Sequence, residues 1–309
     1  MINVLFAAQP DGWDSYETPL KQAIANAGVT AFLARDIPPE DVDYIVYAPS
    51  SPLQDFTPYT RAKAVLNLWA GVEKIVGNPT LNIPLTRMVD SGLSQGMCEW
   101  VTGHTLRHHL GMDAHINCAP GHWVNVAPPL AWDRKVTVLG LGELGTACAQ
   151  MLSQIGFDVT GWSRSAKDID GIRCLSGDAG LTQALTGAEI VVLLLPDTPA
   201  TENTLNADTL ALLAQGACII NPGRGPLIDD DALLAALDSG QIGHATLDVF
   251  RIEPLPEAHP YWHHPRVTVT PHVAAETRAK YSALTVAENI RRGEAGEPLL
   301  HLVDRTAGY

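Results

Sequence analysis

The sequence has few of the residues that direct a chain to nucleic acid or to a membrane. Lysine and arginine total 20 against 34 aspartates and glutamates, which gives a formal net charge of −14 at pH 7. An acidic chain without a Lys/Arg cluster is not expected to bind nucleic acid or an anionic membrane surface. No stretch approaches the roughly 20 consecutive apolar residues of a membrane span, and the first residues lack the basic start of a signal peptide. We therefore expect a cytoplasmic protein.

Cysteine is also scarce, with five scattered residues and no C-x-x-C pair. This spacing argues against a disulfide framework and against a cysteine zinc site, and it predicts reduced thiols. His104 and His108 are four residues apart on a predicted helix, a spacing that metal pairs use, but no carboxylate or cysteine completes a ligand set near them. We predict no metal site.

Apolar strands alternate with amphipathic helices along most of the 309 residues. This alternation predicts an α/β fold in which parallel sheets are covered on both faces, and the length suits two domains. One series of elements occupies the first part of the chain, and a more regular series starts at Lys135. We predict one domain from residues 1–98 plus 275–309, to which a helix at 281–297 returns, and a second domain from residues 99–274. Within "AVLNLWAGVEKIV" we predict a strand, a tight turn and then a helix.

A glycine-rich turn follows the first strand of the second series. It reads Gly140-Leu-Gly142-Glu143-Leu144-Gly145, which fits G-x-G-x-x-G between a strand and a helix. Such glycines allow a tight turn, a close approach to a pyrophosphate and close packing of helix on strand. We predict dinucleotide binding; a purely structural turn and a loop for S-adenosylmethionine are the alternatives.

The next strand ends in "GWSRS", so Ser163 and Arg164 occupy the place where an NAD site carries an acidic residue. A hydroxyl and a guanidinium suit a 2′-phosphate better than two ribose hydroxyls. These residues predict NADP(H) as the cofactor, the alternative being an arginine that points to solvent.

Three further fragments bring polar residues to strand ends: Arg224 in "NPGRGP", Glu253 in "FRIEPL" and His272 in "VTVTPH". An arginine can bind a carboxylate through two parallel hydrogen bonds, and we expect the glycines beside it to let the backbone approach a small ligand. An imidazole is a natural proton donor to a carbonyl oxygen, and a neighbouring carboxylate would raise its pKa. Each residue has an ordinary alternative: a surface turn arginine, a solvated loop charge and a strand-end cap.

With these motifs the sequence resembles the D-isomer-specific 2-hydroxyacid dehydrogenases, in particular the glyoxylate/hydroxypyruvate reductase A branch. The resemblance covers nearly the whole chain and is carried by "GLGELG", "LLLPDTPATENTLN", "NPGRGPLIDDDALLAALDSGQI", "LDVFRIEPLP", "HPRVTVTPHVAA" and "VDRTAGY". It implies that Arg224 holds the substrate carboxylate and polarises the 2-oxo group, that His272 is the acid/base and that Glu253 hydrogen-bonds it.

The resemblance also implies roles for residues that spacing alone does not single out. In "WAGVE" the turn Trp69-Ala70-Gly71-Val72 matches the segment whose backbone amides hold the substrate carboxylate, although Trp69 and Glu73 replace the usual glycine and aspartate. Asp248 matches the acid beside the nicotinamide carboxamide, and Pro196 and Thr198 match the loop under the adenosine. The implied fold is a Rossmann dinucleotide-binding domain inserted into a flavodoxin-like substrate domain, dimerising through the former.

The sequence and the resemblance together predict NADPH-dependent reduction of small 2-oxoacids, glyoxylate to glycolate and hydroxypyruvate to D-glycerate, with His272 as general acid. We expect a homodimer whose other partner is the small-molecule substrate, with no nucleic acid and no membrane. Two alternatives stay open: an NAD-linked D-2-hydroxyacid dehydrogenase and a non-catalytic nucleotide-sensing binding protein.

Overall fold

The computed structural model describes residues 1–9 and 12–308; Tyr309, the last residue of "VDRTAGY", lies outside the described residues. The chain divides into two compact units, one from Met1–Leu93 with Glu276–Tyr309 and the other from Ser94–Ala275. Which part binds the substrate and which binds the cofactor stays a prediction.

Both units are built from parallel strands with helices between them. The strands are β1 (Ile2–Ala7), β2 (Ala31–Ala34), β3 (Tyr44–Tyr47), β4 (Ala64–Asn67), β5 (Leu85–Thr86), β6 (Lys135–Leu139), β7 (Asp158–Ser163), β8 (Arg173–Ser176), β9 (Ile190–Leu193), β10 (Ala217–Asn221), β11 (Ile242–Leu247) and β12 (Val267–Val269). The helices are α1 (Trp13–Asn26), α2 (Ser91–His109), α3 (Met112–Ile116), α4 (Glu143–Ile155), α5 (Gly177–Leu185), α6 (Ala207–Leu210), α7 (Asp230–Ser239) and α8 (Ala279–Ala295).

The first unit contains a five-stranded parallel sheet in the order β2-β1-β3-β4-β5. This is the flavodoxin-like strand order. Helices α1 and α8 share one hydrophobic core with the sheet, in which Leu20 and Ile24 meet Val286 and Ile290. The carboxyl ends of β1, β3 and β4 lie along one edge of this sheet, and the segment that follows β4 begins there.

The second unit contains a seven-stranded parallel sheet in the order β12-β11-β10-β9-β6-β7-β8. The direction of winding reverses between β6 and β9, which are neighbours with Leu139 opposite Leu193. Such a reversal is the topological switch point where Rossmann folds bind dinucleotides. All four residues of β9 are buried, as expected for a strand covered on both faces. The predicted fold class, a Rossmann unit with a flavodoxin-like unit, is confirmed.

Several predicted elements differ from the structure. The helix predicted after the Ala-Gly turn is wrong, because residues 73–77 form only turns, and Gly77 and Pro79 end any helix within one turn. The strands β2, β5 and β8 were not predicted, and all three are short strands at sheet edges, where a clear apolar period is lacking. Helix α2, which carries His104 and His108, is confirmed as a helix and begins at Ser91.

Candidate active site

The glycine-rich turn joins β6 to α4 at the switch point, and its three glycines meet different surroundings. Gly140 has φ +105°, and a Cβ there would lie 2.5 Å from the Leu194 carbonyl oxygen. A Cβ on Gly145 would lie 1.7 Å from the Gly140 carbonyl oxygen, whereas a Cβ on Gly142 would meet no atom within 4 Å. Gly140 is therefore required by the turn and its packing against Leu194, and Gly145 by the packing of α4 against the turn. Gly142 faces open space at the start of α4, where helix N–H groups favour an anion.

Ser163 and Arg164 lie next to this turn. The Gly140 N–H donates to the Trp162 carbonyl at 2.8 Å, which joins the turn to the end of β7. Ser163 is buried, and its Oγ donates to the Ser165 carbonyl at 2.8 Å, while Arg164 is exposed. The Ser163 hydroxyl thus fixes the local backbone and keeps its acceptor lone pairs, and the arginine is presented at the sheet edge beside the glycine turn.

Pro196 and Thr198 lie in the loop after β9, on the other side of the switch point. Thr201 was not predicted, yet its Oγ1 donates to the Pro196 carbonyl at 2.6 Å and accepts the Thr198 N–H at 3.0 Å. These bonds close the loop on itself. The run of threonines in "DTPATENT" was the available signal for such a hydroxyl-centred turn.

His272 and Glu253 form a direct pair in the second unit. The His272 Nδ1 lies 2.8 Å from the Glu253 Oε2, and the Glu253 Oε1 accepts the Phe250 N–H at 2.9 Å. The hydrogen bond to Glu253 raises the pKa of His272, against the lowering effect of partial burial. Partial burial acts to raise the pKa of Glu253, but the bonds from His272 and Phe250 outweigh it and the pKa is lowered. The pair therefore favours an ionised carboxylate beside a protonated imidazole.

The backbone around His272 is held by Asp248. His272 has φ +55°, a left-handed conformation that costs a non-glycine residue on the order of 1–3 kcal/mol. Asp248 is fully buried; its Oδ1 accepts the Thr270 hydroxyl at 2.5 Å and the Val273 N–H at 2.9 Å, and its Oδ2 accepts the Ala274 N–H at 2.9 Å. Its backbone carbonyl accepts the His272 N–H at 2.8 Å. Asp248 and Thr270 thus stabilise the turn that orients the imidazole, while a contact of Asp248 with the nicotinamide stays a prediction.

Arg224 follows β10 with an extended backbone and a half-buried side chain. Its Nη1 donates to the Gly223 carbonyl at 2.6 Å, and its charge acts to lower the pKa of both Glu253 and His272. The structure therefore brings the guanidinium into the electrostatic range of the histidine–glutamate pair, on the same sheet edge.

The glycines beside Arg224 are closely approached by protein backbone. A Cβ on Gly223 would lie 2.7 Å from the Leu193 carbonyl oxygen, and a Cβ on Gly225 would lie 2.0 Å from the Phe250 carbonyl carbon. The packing of protein backbone therefore requires both glycines, and the approach of a small ligand to this turn stays a prediction. They allow the arginine turn to pack between β9 and the segment that leads to Glu253.

The Trp69–Val72 turn belongs to the first unit and follows β4. Val72 is buried, the Trp69 side chain is 40% exposed, and the Trp69 carbonyl accepts the Met88 N–H at 2.9 Å. Within residues 1–9 and 12–308, no acceptor takes the N–H groups of Ala70, Gly71 and Val72. Successive backbone N–H groups without partners favour an anion, as expected of a turn that holds a carboxylate.

The histidines of α2 are occupied by packing and hydrogen bonding. The His104 ring packs on Trp100 with centroids 4.3 Å apart, and the His108 Nε2 lies 2.9 Å from the Thr246 Oγ1. Burial lowers the pKa of His108 to about 3. In the part of the chain that the structure describes, no three metal-ligating side chains cluster.

Comparison with known proteins places this chain among dehydrogenases. The family model for the NAD-binding domain of D-isomer specific 2-hydroxyacid dehydrogenases matches residues 105–274. The glyoxylate/hydroxypyruvate reductase A of Serratia proteamaculans is 36% identical over 316 aligned positions, covering 100% of each chain. The reductase of the same name from Photorhabdus laumondii is 39% identical, covering 86% of this chain and 88% of its own.

Two solved structures are similar along their whole length. The D-isomer specific 2-hydroxyacid dehydrogenase of Xanthobacter autotrophicus, in complex with NADPH and MES, has a TM-score of 0.91 at 41% identity and covers 100% of this chain and 99% of its own. The NADPH-dependent glyoxylate/hydroxypyruvate reductase of Sinorhizobium meliloti, in complex with NADP and sulfate, has a TM-score of 0.85 at 35% identity with 100% of each chain covered.

Proposed function

The chain belongs to the D-isomer-specific 2-hydroxyacid dehydrogenase family, and on that premise we propose that it is an NADPH-dependent reductase of small 2-oxoacids. The substrates we propose are glyoxylate, reduced to glycolate, and hydroxypyruvate, reduced to D-glycerate. The observation that carries the proposal is the pair of His272 and Glu253, 2.8 Å apart, on the same sheet edge as the glycine-rich turn. A carboxylate-supported imidazole at this edge favours a reductase over a chain that only senses a nucleotide.

The residues of the second unit suit the cofactor. Gly142 faces open space at the helix N-terminus, where a pyrophosphate is favoured, and Arg164 stands exposed at the neighbouring strand end, where a 2′-phosphate would lie. We assign Ser163, Pro196 and Thr198 to the adenosine side. When bound, NADPH supplies the hydride that adds to the carbonyl carbon of the substrate.

The side chains of this protein supply the proton and the orientation. Because the His272 Nδ1 is held by Glu253, the Nε2 is the atom that gives a proton to the carbonyl oxygen as the negative charge develops there. Glu253 stabilises the imidazolium before the transfer. Arg224 binds the substrate carboxylate and stabilises the oxyanion. The backbone amides of Ala70, Gly71 and Val72 are the substrate-binding groups that we assign to the first unit.

We also propose a homodimer formed through the second unit. In residues 110–132 large apolar side chains are exposed, including Ile116, Trp123, Val126 and Leu130 at 71%, 90%, 72% and 56%. Apolar surface that extensive favours a protein interface, and a second copy of this chain is the occupant we assign. Light scattering coupled to size exclusion, on wild type and Trp123→Asp, tests it: a dimer that the variant weakens is expected, and a wild-type monomer would contradict it.

A cytoplasmic location is part of the same proposal. The five cysteines are free thiols, which a reducing compartment favours. Among residues 1–9 and 12–308, none of the helices combines the length and apolar character needed to cross a bilayer.

The test of function is the initial rate of cofactor oxidation with glyoxylate and with hydroxypyruvate, with NADPH and NADH in parallel. Turnover with NADPH is expected. Turnover with NADH alone would show that the cofactor is NADH and not NADPH. The absence of turnover with either cofactor would contradict a reductase and favour a nucleotide-sensing binding protein.

The role of His272 has its own test. General acid catalysis contributes about 10²–10⁴-fold, so His272→Ala should lower kcat by that factor while NADPH still binds. His263→Ala, an exposed histidine of the same unit, is the matched control and should keep the wild-type kcat. A His272→Ala variant within about threefold of wild type would exclude the histidine as the general acid.

A further inference from the structure

A single buried side chain holds the Trp69–Val72 turn in place. Asn67 is the last residue of β4, and only 1% of it is exposed. Its Nδ2 donates to the Trp69 carbonyl at 2.8 Å and to the Gly71 carbonyl at 3.1 Å. The side-chain amide of Asn67 therefore holds two peptide groups of the turn, the one that follows Trp69 and the one that follows Gly71.

The other end of this amide is unsatisfied. The Asn67 Oδ1 is buried and has no hydrogen-bond partner among the described residues. Two other buried asparagines use both ends: Asn221 accepts the Gly223 N–H and donates to the Arg224 carbonyl, and Asn289 accepts from and donates to Leu300. A buried acceptor without a partner costs stability. The amide of Asn67 therefore stabilises the turn only through the two hydrogen bonds that its NH₂ group donates.

The two bonds determine where the turn's N–H groups point. In a trans peptide the C=O and the N–H of one plane point in opposite directions. Because the carbonyls of Trp69 and Gly71 point toward Asn67, the N–H groups of Ala70 and Val72 point away from it. These are amides for which the described residues offer no acceptor.

We propose that Asn67 is a positioning residue, which holds the turn with its amides outward so that they can bind the carboxylate of the 2-oxoacid. This inference rests on the proposed function, because the carboxylate is that of the proposed substrate. Asn67 does not touch the substrate; it acts through the peptide groups of the turn. Its loss should weaken substrate binding and leave hydride transfer in the bound complex nearly unchanged.

Asn67→Leu is the main variant, since leucine has a similar size, removes the unsatisfied acceptor and removes both donors. Asn67→Ser is the second variant, in case leucine does not pack. Asn289→Leu is the matched control: Asn289 lies in the same unit, is also 1% exposed and makes two hydrogen bonds to backbone, but it ties down the chain near Leu300. The measurements are kcat and KM for glyoxylate, the NADPH dissociation constant, the binding of oxamate as an unreactive carboxylate, and the Tm.

Loss of two turn-fixing bonds should raise KM and the oxamate dissociation constant about 10-fold to 100-fold. We expect kcat within about threefold of wild type, unchanged NADPH binding and a folded Asn67→Leu protein. In the control, Asn289→Leu, the Tm should fall while the KM for glyoxylate stays at the wild-type value. Wild-type KM in folded Asn67 variants, or an equal rise of KM in the control, would overturn the positioning role alone. A wild-type protein that neither turns over 2-oxoacids nor binds oxamate would overturn the proposed function with it.

Discussion

Gly142 offers a substitution that separates cofactor binding from folding. Its φ is −76°, which alanine adopts freely, and its Cβ would meet no protein atom within 4 Å. Replacement of a surface residue under these conditions changes the free energy of unfolding by about 0.5 kcal/mol or less. The added methyl group instead occupies the space above the start of α4, which we assign to the pyrophosphate.

The expected loss of affinity follows from the bond that the methyl group displaces. A hydrogen bond from a backbone N–H to a charged phosphate oxygen contributes about 1.5–3 kcal/mol, so Gly142→Ala should weaken NADPH binding about 10-fold to 150-fold. Gly145→Ala is the contrasting variant. Its Cβ would lie 1.7 Å from the Gly140 carbonyl oxygen, and such overpacking costs about 1–3 kcal/mol or more of folding stability.

NADPH fluorescence titration and urea unfolding of the cofactor-free protein measure the two quantities independently. We expect a stable Gly142→Ala protein that binds NADPH poorly, and an unstable Gly145→Ala protein. A Gly142→Ala variant that binds within about twofold of wild type, or that is destabilised as strongly as Gly145→Ala, would refute the assignment of that open space to the pyrophosphate.

Three further predictions concern the side chains at the strand ends. The proposed reduction uses the protonated imidazole of His272, and the Glu253 hydrogen bond raises the pKa of His272 against partial burial. The kcat/KM should therefore hold below that raised pKa and fall as pH rises through it, and Glu253→Gln should move the fall to lower pH; an unmoved alkaline limb in the pH profile would count against the pair. Arg224→Lys should raise KM for glyoxylate at least about tenfold, because a point charge cannot form the two parallel bonds; steady-state kinetics with an unchanged KM would rule this out. Thr270→Val should lower kcat severalfold while Thr270→Ser restores it, since the hydroxyl at 2.5 Å from Asp248 helps hold the His272 turn; equal kcat in both would show that the hydroxyl is dispensable.

Much of the site could be predicted from local sequence. The glycines at 140, 142 and 145 are recognisable because a strand precedes them and a helix follows, and the structure has both elements there. Arg224 and His272 were predicted at strand ends because parallel strands place their carboxyl ends on one edge, and both residues lie there. The short edge strands and the turns at 73–77 could not be predicted, because neither segment is long enough to show a hydrophobic periodicity.

The sequence by itself determined the α/β alternation, the glycine turn and the residue types at the strand ends, since these depend on spacing along the chain. Only the tertiary structure decided that Gly225 must be glycine because the Phe250 backbone approaches it, that Asp248 and Thr270 hold the left-handed turn at His272, and that Asn67 orients the amides at 70 and 72. Each of these depends on which group lies within about 3 Å of a given atom, and such distances follow from backbone dihedral angles and packing that the spacing of residues along the chain does not specify.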